Sequence, residues 1–180
     1  CAFCRETLPD SDDEAIAMAM KRVEKNDPVA MRYLGGMRRK EGDYKSAFEY
    51  YTKAAELGDV TAHYNLSIMY DLGLGVEKDE KKEVYHLEEA AIGGYVQARH
   101  NLGCHEERNG RMERAVKHFI IAANLGEEDA MKALWECFSM GHVSKDDLTV
   151  TLRAHQAAIN ATKSPQRKAA EEARERGYFL

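Results

Sequence analysis

A two-residue signature, Ala-x-x-x-Leu, returns four times along this chain, as Ala30/Leu34, Ala62/Leu66, Ala98/Leu102 and Ala130/Leu134, at steps of 32, 36 and 32 residues. A second signature, Ala-Ala-x-x-Gly, runs between them at Ala54-Ala55/Gly58, Ala90-Ala91/Gly94 and Ala122-Ala123/Gly126, at steps of 36 and 32. Both long steps enclose Leu72-Gly73-Leu74-Gly75-Val76, and the corresponding turns near Glu41-Gly42 and Asn109-Gly110 are four residues shorter. One insertion therefore explains every spacing. A repeat of this length marks stacked supersecondary units, none of which buries its apolar face alone.

Each unit reads as two helices. Ala and Leu four apart share one helical face, where the small side chain lets a neighbouring helix approach and the large one fills the space beside it. In the second half of each unit, Tyr51/Ala54, Leu87/Ala90 and Phe119/Ala122 set a large side chain one turn before a small one, and the closing Gly suits the left-handed residue that ends a helix. The spacing predicts helix pairs at 27–40 with 43–57, 59–72 with 79–93, 95–109 with 111–125, and 127–140 with 144–160. Ser11 and Glu14 form a capping-box spacing ahead of a lead helix near 12–25. Ser164-Pro165, followed by Lys168/Glu172 and Glu172/Arg176, predicts a capping helix near 165–176 within a terminal segment 164–180. The expected fold is all-α, an α-solenoid of antiparallel helix pairs with no sheet, filling residues 11–163. Three prolines and 32% charged residues agree with it.

A net charge of −5 with only short basic clusters, Lys21-Arg22 and Arg38-Arg39-Lys40, provides no field for a phosphate backbone, so no nucleic acid is expected as a partner. No run of about 18 apolar residues occurs, and no membrane partner is expected. Position 1 is Cys rather than Met, so the natural start, with any targeting signal, is expected upstream. Four cysteines, a close pair at Cys1 and Cys4 and singletons at Cys104 and Cys137, do not form a disulfide framework. The singletons are expected as buried thiols of a reducing, cytoplasmic environment.

The second unit carries Ala62, Leu66, Tyr70, Gly73, Gly75-Val76, Asp79, Lys82, Ala90-Ala91 and Gly94. This pattern resembles the SEL-one-like repeat (SLR), a subfamily of the tetratricopeptide fold. The other units are more degenerate: Arg38 and Glu106 stand where the pattern has Tyr, Glu83 where it has Ala, and the first and third units lack the Gly-x-Gly-Val loop. The resemblance spans about residues 27 to 160. It implies a scaffold or adaptor that holds a partner protein or peptide, with no catalytic residues and no cofactor in the repeats.

Residues 1–10 invite a second comparison, since Cys1-Ala2-Phe3-Cys4-Arg5 is similar to the last Cys-Pro-x-Cys-Arg of a RING-type zinc finger. That resemblance implies Cys1 and Cys4 as the final ligand pair of a zinc site, and a ubiquitin-conjugating enzyme as a partner of the whole protein. The repeats would then choose the substrate of a ubiquitin ligase. A tetrahedral zinc site needs four ligands, so an upstream segment would have to complete it. An exposed terminal cysteine pair is the competing reading.

Other chemistry is thinly supported. His100 and Cys104 are one turn apart, with His105 beside them, but no further metal ligands follow by spacing. Glu106 and Glu107 are adjacent on a helix and point about 100° apart, so they cannot share one substrate. The loop Gly73-Leu74-Gly75-Val76 lacks the Gly-Lys-Ser/Thr ending of a phosphate cradle and reads as a turn. Trp135 is expected in the core.

What remains is a groove. In a tetratricopeptide-like stack the first helices of successive pairs line the concave face. The residues two before, two after and five after each repeat Leu are Arg32, Gly36 and Arg39; Tyr64, Ile68 and Asp71; His100, Cys104 and Glu107; Lys132, Glu136 and Ser139. The first set is basic and acids enter later, which suggests a peptide with its acidic end toward residue 30.

Overall fold

The computed structural model describes residues 12–162. Among these are nine helices and no strand: α1 (Asp12–Val23), α2 (Pro28–Lys40), α3 (Tyr44–Glu56), α4 (Val60–Leu72), α5 (Glu80–Ile92), α6 (Val96–Arg108), α7 (Met112–Asn124), α8 (Glu128–Ser139) and α9 (Lys145–Thr162). The fold is an all-α helical-repeat solenoid, with the helix pairs where the spacing places them. The capping Ser11, the helix expected near 165–176 and the Cys1/Cys4 pair lie outside the described residues.

Local chemistry sets the helix starts. Asp27, Asp43, Asp59 and Asp79 each accept a backbone N–H of the first turn, from Val29 and Ala30, Ser46, Ala62 and Lys82 respectively. A carboxylate there satisfies donors that have no intrahelical partner and meets the positive end of the helix dipole. The glycines closing three units, Gly58, Gly94 and Gly126, have φ of 85°, 90° and 92°. One residue later the chain repeats a backbone bond, from Asp59 N–H to Ala54 C=O, Tyr95 to Ala90 and Glu127 to Ala122. The second signature is thus a helix stop followed by a fixed re-entry into the next helix.

The chain divides into two compact bodies, one running to Ala98 and the other starting at Arg99. In the first, α1 packs on α2, α2 on α3, α3 on α4 and α4 on α5. Its core holds Met31, Ala47, Tyr51, Ala54, Ala62, Leu66 and Met69, all buried. In the second, α7 packs on α8 and both contact α9. Buried there are Leu102, Phe119, Ala122, Ala130 and Leu134, with Leu148, Thr151 and His155 from α9. Both residues of every Ala-x-x-x-Leu signature are buried.

The large-and-small logic extends one residue past the repeat Leu. A Cβ added at Gly35 would lie 2.8 Å from the Tyr51 ring, and one at Gly103 would lie 2.4 Å from the Phe119 ring. In the first and third units the bulky side chain of the second helix therefore lies over a bare Cα of the first. The second unit has Ser67 at that position and Leu87, rather than a ring, on its second helix.

Trp135 occupies the same position in the last unit, and the expectation that it is a core residue is overturned. Its side chain is 49% exposed and meets Phe138 edge-on, at 6.1 Å between ring centroids. The position carries Gly or Ser in the other pairs, where a second-helix side chain packs close, and here the indole lies outward. Cys137 is buried as expected, whereas Cys104 is only half-buried.

The inserted loop is a plug, not a cradle. Leu74 and Val76 pack against the first body's core, and a Cβ at Gly75 would stand 2.4 Å from the Tyr44 carbonyl oxygen. Gly75 also has φ 70°. Gly75→Ala is expected to cost about 2 kcal/mol or more, because backbone strain and collision add. Gly42→Ala should cost less, since Gly42 has φ 83° but nothing within 4 Å of an added Cβ. Urea midpoints of the two variants, at unchanged m-values, check the contrast.

Candidate partner-binding surface

Two of the residues lying two before a repeat Leu, Arg32 and Tyr64, each meet the residue seven before the next repeat Leu. Arg32 on α2 donates through Nε to Asp59 Oδ2 at 3.0 Å, while Asp59 Oδ1 accepts the Ala62 N–H at 2.7 Å. One carboxylate thus caps α4 and ties it to α2. Asp59's side chain is 8% exposed and Arg32's 35%. At the next junction of the first body, the Tyr64 ring packs against that of Tyr95 at a tilt of 30°, with centroids 4.5 Å apart. In the second body the charge of His100 helps hold the Asp129 carboxyl below its usual range, after the larger effect of Lys132, whose Nζ is 2.9 Å away.

Arg32 and Tyr64 are therefore joints between successive helices rather than free groove residues. The spacing gives no sign of this use, because the chemistry differs from unit to unit. The available signal was an acid or an aromatic seven residues before a repeat Leu.

The remaining positions of the first body lie on α2 and α4. Gly36 and Ile68 are half-buried, Asp71 is half-buried, and Arg39 is exposed on the last turn of α2. Arg38 is paired with Glu41 at 2.7 Å. This leaves Arg39 and Lys40 as the exposed basic groups of that helix end.

In the second body, the His100 ring lies 5.6 Å from that of Phe119, and its Nε2 is 3.6 Å from Cys104 Sγ. A Cys-His pair evokes nucleophilic catalysis, but burial, then the charge of Glu107, push the Cys104 thiol up. That is the reverse of what a thiolate nucleophile needs. Glu107 and Glu136 add to the burial that raises the Cys137 thiol, placing both acids near it. Lys132 and Glu136 are exposed on α8.

Glu106 stands where the repeat pattern has Tyr, and it is buried. Arg111 donates to its Oε2, and Arg114 approaches Oε1 at 3.1 Å. Burial alone would raise the carboxyl, but the two arginines outweigh it and hold Glu106 below the usual glutamate range. The departure from the pattern is thus compensated by two cations on and just before α7. Glu106 and Glu107 face different partners, as their adjacency requires.

Among the described residues, no group of three or more His, Cys, Asp or Glu side chains is placed to hold a metal ion, and no helix is long and apolar enough to cross a membrane.

The Sel1 repeat profile matches residues 23–59, 60–95 and 96–127. The chain belongs to the Sel1 repeat family. The matched Sel1 repeats stop where α8 begins, and the pair beyond them is the one that carries Trp135 in place of a small residue. A Sel1 repeat protein from Oxalobacter formigenes superposes with a TM-score of 0.69 at 31% identity, over 84% of this chain and 65% of that one. A protective antigen of uropathogenic Escherichia coli with an SLR fold superposes with a TM-score of 0.64 at 23% identity, over 92% of this chain and 36% of that one. Among curated relatives, proteins named DAP3-binding cell death enhancer 1 are 24% identical in mouse, over 87% of this chain, and 30% identical in rat, over 85%. The chain spans 38% of the length of each.

Proposed function

We propose that this chain is a protein-binding module, taking a segment of a partner protein on α2 and α4, the first helices of its first two Sel1 repeats. Sel1 repeat proteins mediate protein–protein interaction, and the relatives support a role of that kind. The rodent proteins are named for binding DAP3, and a fission-yeast protein, 32% identical over 41% of this chain, is named chitin synthase regulatory factor 2. Names from such different processes fit a module that presents a surface rather than one committed to a single chemistry.

The observation that carries the proposal is the pair of joints in the first body. Arg32–Asp59 ties α2 to the start of α4 and Tyr64 meets Tyr95, and Gly36 and Arg39 on α2 with Ile68 and Asp71 on α4 would offer small, apolar and charged groups to an extended segment. The exposed basic groups at Arg39 and Lys40 favour a segment whose acidic end lies there.

Selection of a displayed random-peptide library on the immobilised chain tests this. Peptides recovered on the native protein are expected to lose at least tenfold in affinity to Ile68→Arg, and those with acidic ends to lose affinity to Arg39→Glu. Arg32 is unsuitable for the purpose, since reversing its charge would also disturb the cap of α4. Selected peptides that bind Ile68→Arg and Arg39→Glu as tightly as the native chain would refute this surface.

A further inference from the structure

Two histidines on different helices of the second repeat meet nitrogen to nitrogen. His63 on α4 and His86 on α5 have their Nδ1 atoms 3.0 Å apart, and both rings are partly buried. Their ring centroids are 5.2 Å apart. The centroid separation exceeds the nitrogen separation by about the width of one imidazole, so both Nδ1 atoms lie near the line joining the rings. Two ligands of one metal ion would instead aim their lone pairs at a common point beside that line, at about 2.0–2.1 Å from each nitrogen. The head-on arrangement is that of an Nδ1–H of one ring donating to the bare Nδ1 of the other.

The surroundings fix His86 more firmly than its partner. Tyr70 from α4 stacks flat on it, with an interplanar angle of 11° and centroids 5.6 Å apart, and Tyr85 meets it edge-on at 5.0 Å. Phe48 from α3 backs Tyr70 at 5.6 Å. Lys82 lies over the outer part of this cluster, 5.3 Å from the centre of the Tyr70 ring. The charges that act on His86 are His63 from α4 and Lys82 from its own helix, and both oppose a proton there. Burial opposes it more strongly still, and together they bring the ring down to about 4 from 6.5.

We propose that His63 and His86 form a proton-operated latch between α4 and α5, closed while at least one Nδ1 is bare and opened when both carry protons. One added proton leaves the latch closed, because a charged ring donates to a neutral one. A second proton leaves two N–H groups facing each other with no acceptor between them, and two like charges in a partly dry contact. His86 binds a proton more readily in the unfolded chain than in the folded one, so acid favours opening. Its contribution to stability is complete above pH 6.5, shrinks as the pH falls, and is lost near pH 4. The difference in proton affinity amounts to a few hundred-fold. The latch depends only on the packing of the second repeat and stands whatever partner the surface binds.

The decisive measurement is a pH titration of the histidine side chains of the full chain by long-range proton–nitrogen NMR. His86 is expected to hold a single tautomer with a bare Nδ1 or a hydrogen-bonded Nδ1–H, and to stay neutral well below pH 6. Amide protection factors in α4 and α5 should fall between pH 6.5 and 4, while those in α7 and α8 keep theirs over the same range. In His86→Leu that selective loss should disappear. Titration of His86 near 6.5, or the same acid-induced loss of protection in His86→Leu, would overturn the latch.

Discussion

Phe119→Ala is expected to destabilise the second body by about 3–5 kcal/mol, the range for an aromatic ring removed from a filled core. Phe119 is fully buried on α7, with its ring against the backbone of Gly103 and 5.6 Å from the His100 ring. The glycine that makes room for the ring cannot move in to replace it, so the void remains largely open. A fall of roughly 10 °C in melting temperature should follow for a chain of this length. Because repeat arrays lose stability locally, hydrogen exchange should show protection lost first in α6 and α7, with α2 and α3 affected least. Unchanged exchange in α6 would mean that the ring does not hold that helix.

Gly103→Ala should change sign with its neighbour. In the native background the new methyl would start 2.4 Å from the Phe119 ring, and displacing so tightly packed a group costs about 1–3 kcal/mol. This exceeds the gain of roughly 1 kcal/mol that alanine brings to a helix interior in place of glycine. In a Phe119→Leu background the obstructing ring is gone, and the same substitution should stabilise. The second repeat already uses such a combination, with Ser67 opposite the helix that carries Leu87. A double-mutant cycle by urea unfolding gives the coupling directly, and additive effects would show that ring and glycine do not share space.

The helix pairs were legible in the sequence because their causes recur. Ala62 and Leu66 are buried for the same reason as Ala130 and Leu134, so the cause leaves a countable spacing. The helix-start aspartates, which the structure reveals as caps, also keep a spacing: Asp27, Asp43 and Asp59 fall at steps of 16 and Asp79 follows after the same four-residue insertion. Trp135 was misread because an aromatic in a helical stretch usually packs inward, and only the Phe119 ring over Gly103 shows how little room its position has. The roles of Arg32 and Tyr64 were illegible for the opposite reason. Their geometry recurs while their chemistry does not, so no residue type repeats. His63 and His86 are 23 positions apart on different helices, and nothing in a linear reading draws them together.

The joints of the first body also make its repeats non-interchangeable. In this body α2 carries a cation that meets an acid at the start of α4, whereas α4 presents a ring that meets Tyr95. Each helix pair carries the complement to its own successor, as a lock carries the shape of one key. Copying or reordering the units, the usual way such arrays grow, would set a guanidinium against a phenol or leave an aspartate unmatched. The order of the repeats is thus written into the protein's side chains as well as into its backbone.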